Sequence, residues 1–257
     1  MGIYRYSYQT IVRFDTVAYA HHFLLRCTPR SEHHQQLLQS QLYLLNRCEL
    51  NNTVDTFGNT IHYGSMTSPH DLFVVASSGV VECGEYYVKD SDPHPHFMMQ
   101  SPMTHPSREL QEFSELHASI GTPLMQAKAL CEALFNHMTY TPGSTSIETT
   151  AAQSFALGCG VCQDYAHCLL SLLRHRGIYA RYVVGFLLGE GETHAWVEVW
   201  SNGGWYGVDP THNRTIESWG YIKLAHARDA MECSVTRGVH RMGGAHTTQI
   251  NVKVEAV

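Results

Sequence analysis

Three short segments hold the residue types that could do chemistry: Gly160-Val161-Cys162-Gln163-Asp164, Thr193-His194-Ala195-Trp196 and Val208-Asp209-Pro210-Thr211. In chain order they offer a thiol, an imidazole and a carboxylate. A thiolate is a strong nucleophile, an imidazole beside it takes and returns a proton, and a carboxylate behind the imidazole orients the ring and steadies its charge. Together they make an apparatus for attacking carbonyl carbons. Each also has a plainer reading: Cys162 as a packing residue, His194 as a satisfied core histidine beside Trp196, and Asp209 as a turn opener before Pro210. Their agreement in type, order and expected placement favours the chemical reading.

The elements that must position them are visible in the same stretch. Cys162 opens a helical pattern in which Cys162, Ala166, Leu169, Leu170 and Leu173 share one face, with Gly177 as a stop beyond Arg174 and Arg176. A cysteine in the first turn of a helix meets unpaired backbone N–H groups and the positive end of the macrodipole, which favour its thiolate. The same N–H groups, that of Cys162 included, can donate to the oxyanion formed when sulfur attacks. Residues 182–188 form a nearly unbroken apolar strand pattern, and Asn202-Gly203-Gly204 signals a hairpin between two further strands. With a two-residue loop at Asn202-Gly203, Ser201 faces Gly204 and His194 faces Thr211. Asp209 is then the diagonal neighbour of His194 on one sheet face, about 7–8 Å away at the backbone. A three-residue loop would put the two on opposite faces unless a bulge intervened.

The rest of the 257-residue chain, 44% hydrophobic, supplies material for one large domain or two modest ones. Tyr4, Tyr6 and Tyr8 alternate, and Phe23, Leu25 and Cys27 repeat the pattern. Past a turn at Phe57-Gly58-Asn59-Thr60 come strand-like runs at 61–63, 72–76 and 80–83. Residues 1–95 therefore form an expected antiparallel β module. Pro93, Pro95, Pro102 and Pro106 mark a connection, and residues 96–257 form the second unit. There Thr122 caps a helix with Pro123 at its first position, followed by Leu124, Ala127, Leu130, Cys131, Leu134 and Met138 at helical spacing. The fold class expected is α+β.

Composition excludes several classes. A net charge of -6 without a Lys/Arg cluster gives nothing to attract a phosphate backbone, so nucleic acid is not an expected partner. No apolar run approaches the roughly 20 residues of a membrane span. The opening Met1-Gly2-Ile3-Tyr4-Arg5-Tyr6 lacks an apolar signal core and a Ser/Thr at position six, so a cytoplasmic location is the expectation. The eight scattered cysteines suit small buried side chains better than a disulfide framework. Cys159-Gly160-Val161-Cys162 also fits redox exchange or zinc. A redox pair is expected after the first strand of a βαβ unit, and zinc needs further ligands, for which His167 or Cys168 is the best offer. No metal or cofactor is expected, and the oligomeric state is left open.

The segments Gly160 to Ala166, Gly177 to Gly185, His194 to Val199 and Trp205 to Thr211 resemble the transglutaminase-like superfamily, specifically its bacterial cysteine-peptidase branch, over about residues 120 to 215. The β-rich start, with Asp55-Thr56-Phe57-Gly58-Asn59, resembles the N-terminal region accompanying this core in bacterial members, and Arg237-Gly238 to Val254 resembles their closing strands. The resemblance implies a papain-like core of helices packed on an antiparallel sheet, with Cys162 as nucleophile, His194 as base and then acid, and Asp209 orienting the imidazole. It also implies attack on a peptide or protein amide through a thioester, with hydrolysis as first choice and glutamine-directed acyl transfer or deamidation second. A binding module that keeps the fold without catalysis is the alternative of another class. For the second oxyanion donor the offers are Gln153, nine residues before Cys162, and Tyr140, 22 before. Animal transglutaminases carry calcium sites, but Asp90 and Asp92 alone do not make an acidic calcium loop.

Overall fold

Alternation builds the first unit. The computed structural model describes residues 1–45, 48–217 and 220–257. It opens on one long strand, β1 (Gly2–Leu25), in which Tyr4, Tyr6, Tyr8, Phe14, Phe23 and Leu25 are buried while Arg5, Ser7, Gln9 and Arg13 face outward. It is followed by β2 (Gln35–Leu44), β3 (Leu50–Val54), β4 (Thr60–Met66) and β5 (His70–Cys83). The short β6 (Val88–Lys89) leads through a 3-10 turn at Pro95–Met98 to α1 (Arg108–Leu116), α2 (Pro123–His137), β7 (Thr139–Tyr140), α3 (Ala151–Leu157), β8 (Cys159–Gly160) and α4 (Cys162–His175). The chain then runs through β9 (Ala180–Leu187), β10 (Gly189–Gly191), β11 (His194–Ser201), β12 (Gly204–Asp209), β13 (Arg214–Ile216), β14 (Tyr221–Ala227), β15 (Thr236–Met242) and β16 (His246–Ala256).

Two departures from the sequence pattern concern β1 and its partners. The runs at 72–76 and 80–83 belong to one strand, β5, which pairs with β1 from Gly2↔Cys83 to Arg13↔Leu72. Gly79 in the middle is not a turn but a close approach: a Cβ there would sit 2.1 Å from the Gln39 carbonyl oxygen and 2.8 Å from the Tyr6 ring. The closing strands β15 and β16, expected with the second unit, pair antiparallel with β1 instead. A strand of 24 residues has two long edges to satisfy, and the chain returns some 230 residues later to cover one of them.

The second sheet runs β13-β12-β11-β9-β14, with β6 added along β12. Against it lies α4, flanked by α1, α2 and α3. Burial of α4 extends beyond the single face that periodicity marks, taking in Tyr165, Cys168 and Leu172, because helices cover the side turned away from the sheet. α2 begins as expected, with the Thr122 hydroxyl accepting from the Met125 amide at 3.3 Å and Pro123 at the first position. The two sheets meet where the rings of Tyr6 and Tyr8 pack on Phe186 of β9, centroids 5.5 and 5.6 Å apart.

Behind the site-bearing strands sits a fully buried carboxylate, Glu198 of β11. Its oxygens accept from Lys223 Nζ at 2.8 and 2.9 Å, from the Tyr86 hydroxyl at 2.8 Å and from the Arg181 guanidinium, which also lies over the Trp205 ring at 4.1 Å. Lys223 reaches Glu32 as well, at 3.0 Å. Burial disfavours the charge on Glu198, but Arg181 and Lys223 outweigh that and hold its carboxyl below the usual range. Because Glu32 and Tyr86 come from the first unit, this cluster ties the two units together. Removing one member strands the others without water, so Glu198→Ala should lower the unfolding free energy by about 3–5 kcal/mol in a denaturant titration.

Candidate active site

The start of α4 fixes Cys162. Val161 at the N-cap has no side-chain acceptor, so Asp164 folds back instead: its Oδ2 accepts from the Val161 amide at 2.8 Å and from the Thr145 hydroxyl at 2.6 Å. Gly160 makes room for this, since a Cβ there would lie 2.6 Å from Asp164 Oδ2. Cys162 thus stands at the first helical position, half-buried, where its own amide has no partner within the helix. Its Sγ lies 4.0 Å from the Thr193 carbonyl oxygen, one residue before His194.

The hairpin that carries the other two groups has the two-residue loop its sequence signals. Asn202 and Gly203 both have positive φ, 50° and 84°, as a type I′ turn requires, and pairing runs from Ser201↔Gly204 to Val197↔Val208. This register leaves His194 and Asp209 on one face, with His194 Nε2 2.8 Å from Asp209 Oδ2. Nδ1 is then the ring nitrogen left for Cys162.

Asp209 gathers more than the sequence indicates. Its Oδ1 accepts from the amides of Thr211 and His212 at 2.9 and 3.3 Å. Oδ2 accepts from His194, from His212 Nδ1 at 2.8 Å and from the Tyr221 hydroxyl at 2.7 Å. Residues three places after an Asp commonly fold back on its carboxylate, so His212 had a local signal in the Asp209-Pro210-Thr211-His212 turn. Tyr221 comes from β14, on the far edge of the sheet path, and nothing local marks it.

Electrostatics follow from this wiring. Burial opposes a charge on His194, but hydrogen bonds to Asp209 and then Cys162 outweigh it and push the imidazole up to about 10. Burial likewise opposes ionisation of Asp209, yet the bonds from His194 and His212 hold its carboxyl well below the usual range. The site therefore favours a charge-separated pair away from bulk water.

The two oxyanion offers part company. Tyr140 lies on β7, paired with Gly160 of β8, two residues before Cys162, and its phenol is raised first by burial and then by the negative charge of Cys162 and Glu192. Gln153 lies exposed at the third position of α3, where its Oε1 accepts from the Thr150 amide at 2.9 Å and hydroxyl at 3.1 Å. It is engaged as half of a capping box. The zinc alternative does not assemble among the described residues. His167 accepts from the Ala230 amide at 3.1 Å, Cys168 packs 3.3 Å from the Ser154 hydroxyl, and all eight cysteines are free. The group whose atoms converge within 4.8 Å is His194, Asp209 and His212, where both imidazoles already bond one carboxylate oxygen.

Residues 114–210 match the transglutaminase-like superfamily core, and residues 4–82 match the bacterial transglutaminase-like N-terminal region. The chain therefore carries a transglutaminase-like core domain behind a bacterial transglutaminase-like N-terminal region. It is 27% identical over 253 residues to an uncharacterized protein of Mycobacterium leprae, covering 90% of this chain and 89% of that one. A shorter alignment of 131 residues, 44% of this chain and 20% of the relative, is 32% identical to protein-glutamine gamma-glutamyltransferase of Pseudomonas aeruginosa. The crystal structure of a candidate cysteine protease from Cytophaga hutchinsonii superposes with a TM-score of 0.79 at 20% identity, over all of this chain and 91% of that one, which shows the shared fold.

Because the His194 imidazole is raised above its unfolded value, its contribution to stability is complete below about pH 6.5 and is lost as pH rises through about 10. Unfolding free energy measured across that window should decline, and Asp209→Asn, which removes the main partner, should flatten the decline. An equally steep slope in the variant would refute the assignment.

Proposed function

We propose that the protein is a cysteine-dependent amide hydrolase acting on peptide or protein substrates, with Cys162 as nucleophile, His194 as proton carrier and Asp209 as the group that orients it. The reading is supported by the 2.8 Å bond from His194 to the buried carboxylate of Asp209, with the Cys162 Sγ 4.0 Å from the carbonyl oxygen of Thr193, the residue before His194. Sulfur attacks the amide carbon and the carbonyl oxygen becomes an oxyanion, facing the Cys162 amide at the helix start and the Tyr140 hydroxyl. His194 gives its proton to the departing nitrogen, the C–N bond breaks and a thioester remains. Water, deprotonated by His194, then attacks the thioester carbon. The acid leaves and the thiol is restored. Asp209 stays ionised throughout, with His212 and Tyr221 holding it in place.

A second reading replaces that water by a primary amine. The alignment with the Pseudomonas aeruginosa glutamyltransferase supports it, and the same three side chains would serve. Peptide amides and glutamine/amine pairs separate the two: release of a free acid marks hydrolysis, whereas incorporation of a labelled amine marks transfer. Under either reading Cys162→Ala should abolish turnover with little change in melting temperature, because the thiol is half-buried and its removal empties little core volume. Asp209→Asn should reduce kcat by about 10³ to 10⁴. Retention of full activity by Cys162→Ala would overturn the mechanism.

A further inference from the structure

The inner face of the N-terminal sheet does not pack on the core along its whole length. Tyr6 and Tyr8 meet Phe186, but farther along β1 the sheet and the core separate, leaving a cavity of about 520 Å³. Its floor is a row of cross-strand pairs on one face, Thr10↔Ile250, Val12↔Thr248 and Phe14↔His246. Tyr182 and Val184 of β9 form the opposite wall.

Three observations say what this space would hold. First, it reaches the neighbours of Cys162: Gln163, Glu192 and Thr193 line it, the first adjacent to Cys162 in the chain and the last with its carbonyl oxygen 4.0 Å from the Cys162 Sγ. Second, its lining includes the apolar and aromatic side chains of Tyr8, Val12, Phe14, Phe73, Tyr182 and Val184, and its volume lies within the roughly 300–1,000 Å³ of small-ligand sites. Third, the charged side chains that line it, Glu192 and Arg237, are exposed ones. At the end near Phe14, His21 is buried and bonded to His70 at 3.1 Å, and burial first and His70 second push it down to about 4, so His21 itself is uncharged at pH 7. Thr10 adds a buried hydroxyl to the floor.

We infer that this cavity is the subsite for an uncharged aromatic side chain next to the attacked carbonyl, so that the N-terminal sheet sets the enzyme's substrate preference. The inference rests on the proposed role of Cys162 as nucleophile. Away from the exposed Glu192 and Arg237, a carboxylate or ammonium among Phe14, Phe73 and Tyr182 would lose its hydration without an opposite charge, whereas an aromatic ring there gains edge-to-face contacts.

Alkylation of Cys162 in the full chain tests the subsite without a known substrate. Iodoacetamide and N-benzyl iodoacetamide would be compared, each rate divided by that with glutathione and the labelled residue identified by mass spectrometry. The benzyl reagent should gain at least about tenfold at Cys162. Thr248→Trp, on an exposed position of the floor, should erase that gain and leave the iodoacetamide rate unchanged. Arg237→Trp at the rim serves the same purpose should the first variant not fold. Fast iodoacetamide labelling with no benzyl advantage, or an advantage that survives in the folded variants, would overturn the subsite while leaving the nucleophile standing. If iodoacetamide does not label Cys162 at all, the nucleophile assignment falls, and the subsite with it.

Discussion

The ion pair between His194 and Asp209 is the contact on which the rest of this structure depends, because two charges away from water persist only when every lone pair and proton is engaged. Asp209 has no exposed surface and takes bonds from two imidazoles, a phenol and two backbone amides. That set is complete enough to offset the desolvation of the carboxylate, which is otherwise several kcal/mol per ion. The same set holds the imidazole in one orientation, with Nε2 bound to the carboxylate and Nδ1 left free of it. Chemistry at Cys162 thus depends on residues from α4, β11, β12, β14 and the turn after β12 arriving together.

Rigid supports surround that pair. The type I′ hairpin sets the registry of β11 against β12, and a one-residue slip would send His194 and Asp209 to opposite faces. Two residues along β11 from His194, the Trp196 indole donates to the Tyr86 hydroxyl at 2.7 Å, and Tyr86 in turn donates to Glu198. The strand that carries His194 is therefore anchored from behind by the same buried cluster that joins the two units. Disturbance of that cluster would be felt at His194 through the backbone rather than through any contact with substrate.

The long first strand gives the molecule its second constraint. Paired to β5 on one edge and to β16 on the other, β1 holds both ends of the chain in one sheet. A cavity of about 520 Å³ lies between the far part of that sheet and β9.

Much was legible in local pattern. Helix starts at Thr122 and Cys162, the turn at Asn202-Gly203, the buried tyrosines of β1 and the candidate trio all follow from residue type and spacing, because periodicity and turn chemistry act over a few residues. The diagonal placement of His194 and Asp209 followed as well, since a two-residue loop leaves one register. Tertiary structure alone decided the rest. The union of β1 with β15 and β16, the arrival of Tyr221 at Asp209, and the gathering of Tyr86 and Lys223 on Glu198, with Glu32 on Lys223, join residues by packing and hydrogen bonding. Most of these partners lie far apart in the chain. A buried polar atom accepts whichever partner the fold delivers, and no local spacing encodes that choice.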